Sequence, residues 1–144
     1  GAPLADPGAV LVGRRLDRLH GGWRLRIAVL PGPDGGAGLV WYMDHEHWIA
    51  LAVVAGGRVR LIQRIGAIEA VIAETAAPAG EADLALVADG PEVEARVGGA
   101  PLGRARLRYL ASEVARGFTG AVAAIAAWGD DTTAEAVRLE RVGD

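Results

Sequence analysis

Ala121 to Trp128 is an unbroken apolar run, closed by Gly120 on one side and by Gly129-Asp130-Asp131 on the other. A run of this length is too short to cross a bilayer, which needs about 20 residues. It suits a strand covered on both faces at the centre of a core. The approach to it has two parts. Tyr109-Leu110-Ala111-Ser112-Glu113-Val114 is short and amphipathic, and Gly117-Phe118-Thr119-Gly120 is a turn between glycines. Phe118 is the one phenylalanine of the chain. At the entry to a buried strand it reads as a core anchor, because aromatic rings bury a large area.

The rest of the chain alternates short apolar segments with turn residues. Val10 to Arg18 reads as a strand and His20-Gly21-Gly22 as a turn. Trp23, Leu25, Ile27 and Val29 then alternate with Arg24, Arg26 and Ala28, the period of a half-buried strand. Pro31 to Gly36 reads as a surface loop. Leu39 to Met43 and His47 to Ala55 are strands around an Asp44-His45-Glu46 tip. Arg58 to Arg64 follows, with Val59 and Leu61 inward, then Ile68 to Glu74 and Leu84 to Ala88. Val93, Ala95 and Val97 alternate with charged neighbours, Gly98-Gly99 closes that unit, and Ala134 to Val142 is a final strand. Many short strands with turn signals every 8–12 residues predict an all-β fold, a sandwich or a barrel. At most one short helix fits, around 107–115. Residues 1–8, with Pro3 and Pro7, read as a loose leader, and 9–144 as a single domain.

Composition narrows the partners. A chain of 144 residues is long enough to bury a real core, and its hydrophobic fraction of 51% argues against disorder. A net charge of −3 gives no footprint for nucleic acid or an anionic membrane. Cysteine is absent, which removes disulfides, thiol catalysis and cysteine zinc sites. No charged segment followed by a long apolar stretch opens the chain, which favours a cytoplasmic over a secreted location, although a removed signal peptide is compatible with the same sequence.

The densest polar cluster is Asp44-His45-Glu46-His47. On an extended chain His45 and His47 share one face while Asp44 and Glu46 share the other. Two histidines are too few for a closed zinc site. Calcium could use Asp44 and Glu46 as oxygen ligands. The plainer reading is a solvated hairpin tip, with no cofactor. Trp41, Tyr42 and Trp48 flank the tip. A sugar ring can lay its C–H face on an exposed aromatic, so Tyr42 and Trp48, with His45 and His20, are the candidate carbohydrate contacts. The alternative for both tryptophans is the core. Trp23 and Trp128 fit the buried faces of their strands. Glycoside hydrolysis needs two facing carboxyl groups, but with eighteen carboxylates in the chain a pair proves nothing.

The Tyr109–Gly120 segment resembles a motif of the C-terminal β-sandwich domain of glycoside hydrolase family 43 β-xylosidases and arabinofuranosidases, YLS-(S/T)-E-V-A-x-G-F-T-G. Tyr109, Leu110, Ser112, Glu113, Val114, Ala115, Gly117, Phe118, Thr119 and Gly120 stand in its places. Gly13-Arg14-Arg15 is similar to the G-R-R of an early strand, and Ala37 to Asp44 to an A-G-L-x-x-Y-x-D strand and turn. The resemblance implies a two-sheet antiparallel β-sandwich, a concanavalin A-like jelly roll. It also implies a non-catalytic accessory domain that packs on a catalytic domain and shapes its substrate entrance in xylan degradation. The catalytic acids of that family lie in a separate propeller, so the resemblance implies no catalytic residue here. In the family an aromatic on the loop after the G-R-R strand helps close the active-site mouth. Its place falls near Gly21, so it does not carry over, and His20 or Trp23 could substitute. The family domain also has more chain before its G-R-R strand, so three alternatives are open: a trimmed sandwich, a chain that is part of a larger protein, or a neighbouring chain that covers the exposed edge. The partners implied are a catalytic glycosidase domain or identical subunits. Xylo- or arabino-oligosaccharide is the ligand class implied. The alternatives are a free-standing carbohydrate-binding or lectin-like module and a structural interaction domain.

Overall fold

A computed structural model describes residues 10–16, 21–106 and 121–142. Within these residues the chain forms eleven strands: β1 (Val10–Leu16), β2 (Gly22–Leu30), β3 (Gly36–Asp44), β4 (His47–Val54), β5 (Arg58–Ile65), β6 (Ile68–Ala76), β7 (Glu81–Asp89), β8 (Glu92–Val97), β9 (Ala100–Arg106), β10 (Ala121–Trp128) and β11 (Thr133–Val142). They build a six-stranded sheet in the order β1-β10-β3-β4-β5-β6 and a five-stranded sheet in the order β11-β2-β7-β8-β9. Every pairing is antiparallel. The fold is all-β, as the strand spacing predicts, and a two-sheet jelly roll, as the family resemblance implies. The short helix expected around 107–115 and the motif at 109–120 lie outside the described residues.

The main core lies between the sheets. Leu25, Ile27, Leu39, Trp41, Ile49, Leu51, Val59, Leu61, Leu84, Leu86 and Val93 all point into it and are shielded from solvent. Alternation puts them there: each lies two residues from the next inward side chain on its strand. Full burial of a side chain of this size is worth about 2 kcal/mol, so this layer dominates the stability.

A second apolar cluster lies on the outer face of the six-stranded sheet: Val40, Trp48, Ala50, Ala52, Val54, Ile62, Ala124, Ala126 and Trp128. Strand β10 therefore has both faces covered, with Ala123 in the main core and Ala124 and Ala126 in the outer cluster. That is why its sequence shows no alternation.

One strand escapes the sequence pattern. β9 follows Gly98-Gly99, where the strand run was expected to end. Its Pro101, Gly103 and Arg104 hide the period of two, but Ala105 is buried and Gly103 faces β6, where an added Cβ would sit 3.0 Å from Ala73 Cβ. Gln63 Nε2 donates to the Arg106 carbonyl at 3.0 Å. Gly103 thus packs on β6 and Gln63 ties β5 to β9, which closes this side of the sandwich. Proline is tolerated in β9 because an edge strand has one unpaired side.

Candidate carbohydrate-contact site

The Asp44–His47 tip joins β3 to β4. Asp44 Oδ1 accepts the backbone N–H of Glu46 at 2.8 Å and lies 2.9 Å from His47 Nδ1. This is an Asx-type turn, in which a short carboxylate replaces a backbone acceptor. The Glu46 carbonyl accepts the Gly66 N–H at 2.8 Å, tying the tip to the β5–β6 turn. The expected pairing of faces changes here. Residues 45–46 turn rather than extend, so Asp44 and His47 meet each other instead of lying on opposite faces. His45 points outward, with its Nε2 3.7 Å from Glu46 Oε1.

Asp44 Oδ1 thus already holds two partners, and Glu46 leans toward His45. Among the described residues no three histidine, aspartate or glutamate side chains come together in a group able to hold a metal ion.

The aromatics divide. Trp41 faces the main core and Trp48 the outer cluster, each at most 1% exposed. Trp48 Nε1 donates to the His45 carbonyl at 3.3 Å, which satisfies the indole N–H while the ring packs. Trp48 therefore offers no face to a sugar. Tyr42 pairs in register with Trp48 and stays partly exposed. Burial, then the nearby Asp44 charge, pushes its phenol above the usual tyrosine range, so the hydroxyl remains a hydrogen-bond donor at neutral pH. Trp23 is half-buried against the main core rather than held on a loop. His20, Ser112, Glu113 and Phe118 lie outside the described residues. Arg14 and Arg15 pair in register with Ala123 and Val122. The structure thus brings Tyr42, Asp44, His45, Glu46 and His47 to one end of the β3–β4 hairpin, with Trp48 buried beneath them.

The outer face of the five-stranded sheet is of another kind. Of the twelve ion-pair contacts among the described residues, eight lie on it, so its charges are largely matched within the chain. Arg24 grips Asp83 with two nitrogens, Nε lying 2.7 Å from Oδ1. This hydrogen bond holds the Asp83 carboxyl below the usual aspartate range. Arg104 reaches Asp89 at 2.7 Å, Glu94 at 3.1 Å and Glu92 at 3.6 Å. Carboxylates paired with arginines in this way form a solvated, charge-matched face.

Comparison with known proteins places this arrangement. The sandwich superimposes on the family 43 protein BlXynB from Bacillus licheniformis with a TM-score of 0.86 at 17% identity, over 96% of this chain and 30% of that one. A xylan β-1,4-xylosidase from Bacillus halodurans gives 0.77 at 20% identity, over 92% and 29%. The chain thus spans less than a third of the length of these two enzymes. The carbohydrate-binding module CBM66 from Bacillus subtilis gives 0.60 at 17% identity, over 94% of this chain and 96% of that one. No curated protein matches by sequence. Residues 7–138 match the family described as the β-xylosidase C-terminal concanavalin A-like domain. The match spans nearly the whole sandwich, and the chain belongs to that family, the accessory β-sandwich domains of family 43 glycoside hydrolases.

Proposed function

We propose that this chain packs on a glycosidase catalytic domain and shapes its substrate entrance during the breakdown of xylan-type hemicellulose. The observation that supports this most is the family match over residues 7–138, joined to structures in which the same sandwich makes up about 30% of a longer enzyme. The role is contact and exclusion: a rigid sandwich at an active-site mouth limits which substrates enter and how much water follows them. Rigidity suits the task, because the two packed clusters hold the strands on both sides of the six-stranded sheet.

Reconstitution tests this reading. The chain is mixed with a family 43 catalytic domain that lacks its own sandwich, and association and hydrolysis of xylo-oligosaccharides are measured. Association with a changed KM, or a changed preference for chain length, is the expected result. Failure to associate, or association with no change in either, counts against the reading.

A further inference from the structure

A groove of about 480 Å³ crosses the outer face of the six-stranded sheet, from the loop at 33–35 to Glu69 beside the β5–β6 turn. Its volume lies within the range of ordinary ligand sites. Val71 is the exposed apolar wall, Trp128, Val54 and Ile62 show only their 8%, 9% and 5% exposed edges at the floor, and Arg60 and Glu69 line the side formed by β5 and β6. The six come from four strands. They converge because register puts them on one face: Trp128 pairs with Gly36, Gly36 with Val54, and Ile62 with Val71.

Gly36 is what makes the shape. A Cβ there would lie 2.7 Å from Trp128 Cζ2 and 3.0 Å from Val54 Cγ1. The indole therefore lies across the strand at the place a side chain would fill, and it forms one wall of the trough.

The polar groups leave bonding capacity. Arg60 is held through Nε by Glu74 at 2.9 Å, the one ion pair it makes among the described residues, which leaves its terminal nitrogens for another acceptor. Glu69 lies 4.0 Å from Arg64 and is partly buried. Burial pushes its carboxyl above the usual glutamate range, and Arg64 opposes the shift. Asp34 also lines the groove. Asp34, Glu69 and Glu74 outnumber Arg60 and Arg64, so an anionic ligand is disfavoured. No group of three metal-binding side chains forms among the described residues. An apolar floor edged by one cation and by carboxylates suits an uncharged molecule with one C–H-rich face and several hydroxyls.

We infer that this groove binds a neutral sugar unit of a hemicellulose chain, its C–H face on Ile62, Val54 and the edge of Trp128, and its hydroxyls bonded to Glu69 and Arg60. The choice of sugar class rests on the proposed function, whereas the position of the site does not. It is a different place from the Tyr42 and His45 end of the hairpin, to which the sequence points.

The probe is xylohexaose, titrated into the isotope-labelled chain and followed by amide and indole NMR. Expected are saturable shifts at the Trp128 indole N–H and at the Ile62 and Val71 amides, with binding about tenfold weaker in Arg60→Ala and in Glu69→Gln. Both substitutions change partly exposed side chains, and a dispersed spectrum verifies each fold. Absence of saturable shifts at about 10 mM sugar overturns the inference. So do shifts centred on the Asp44–His47 tip, or binding that survives both substitutions unchanged. Reconstitution with a catalytic domain is scored separately. A silent titration with successful reconstitution removes the groove and leaves the proposed function, and the reverse outcome removes the proposed function and leaves the groove.

Discussion

Gly36 shows how much one missing side chain can organise. Its backbone is not in the left-handed region, so the constraint is space rather than torsion. An added methyl would meet Trp128 Cζ2 at 2.7 Å and the Val53 carbonyl oxygen at 2.8 Å. The carbonyl is fixed in the β3–β4 ladder, so the ring must give way. Gly36→Ala is expected to destabilise the chain by about 1–3 kcal/mol, as overpacking of a closed site does. It is also expected to shift the Trp128 emission. Denaturant unfolding followed by tryptophan fluorescence checks both, and a variant of unchanged midpoint and spectrum would show that the ring is free to move. Gly38 is tighter still, with the Ala52 Cα 2.6 Å from a built Cβ. In sequence both positions read only as small residues in or beside a strand, because what excludes a side chain comes from another strand.

At the scale of elements, strands with one buried face were legible, since their alternation is written in β2, β5 and β8. β10 was legible for the opposite reason, its lack of alternation signalling two covered faces. β9 was not, because an edge strand with proline and glycine carries little pattern. The Asp44–His47 tip was legible as a turn, but its internal bonding was not, since a tight turn breaks the extended geometry on which face assignments rest. The groove was illegible, because Trp128, Arg60 and Glu69 meet only once β10, β3, β4, β5 and β6 are laid side by side. The edge strands differ in a further way. In β6 Ile68, Val71 and Ile72 are exposed, and a register shift opposite Leu61/Ile62 bends the strand. A bulge of this kind blunts an edge against pairing with another chain. In β11 every side chain from Thr133 to Arg138 is exposed. Strands with so little buried apolar contact open first. Hydrogen exchange is expected to be faster in β6 and β11 than in β3 and β4, whose side chains are nearly all buried. Equal protection across all four would mean that the sheets open only as one unit.

The whole molecule has two unlike outer faces, one laced with ion pairs and one packed with alanine, valine and tryptophan. Exposed ion pairs contribute little each, so the apolar clusters carry the stability and the charges tune it with pH. Two carboxyls tune it in opposite directions. The Asp83 carboxyl is lowered by its bond to Arg24 from an ordinary value of 3.8, so its stabilising effect is present above that value and is lost as pH falls through the lower folded value. The Glu69 carboxyl is raised by burial from an ordinary value of 4.5, so it favours the fold below that value and loses that contribution as pH rises through the higher folded value. At neutral pH Asp83→Asn is therefore expected to lower the melting temperature, and Glu69→Gln to hold or raise it. Toward pH 3 the loss in Asp83→Asn shrinks, because the native carboxyl is being protonated too. Melting curves of the three proteins across pH 3 to 7 check this. A Glu69→Gln protein less stable than its parent at pH 7 would mean that Arg64 stabilises the charged carboxylate by more than burial costs it. A sugar hydroxyl would then compete with a salt bridge for Glu69, and the groove would be a weaker acceptor than its shape implies.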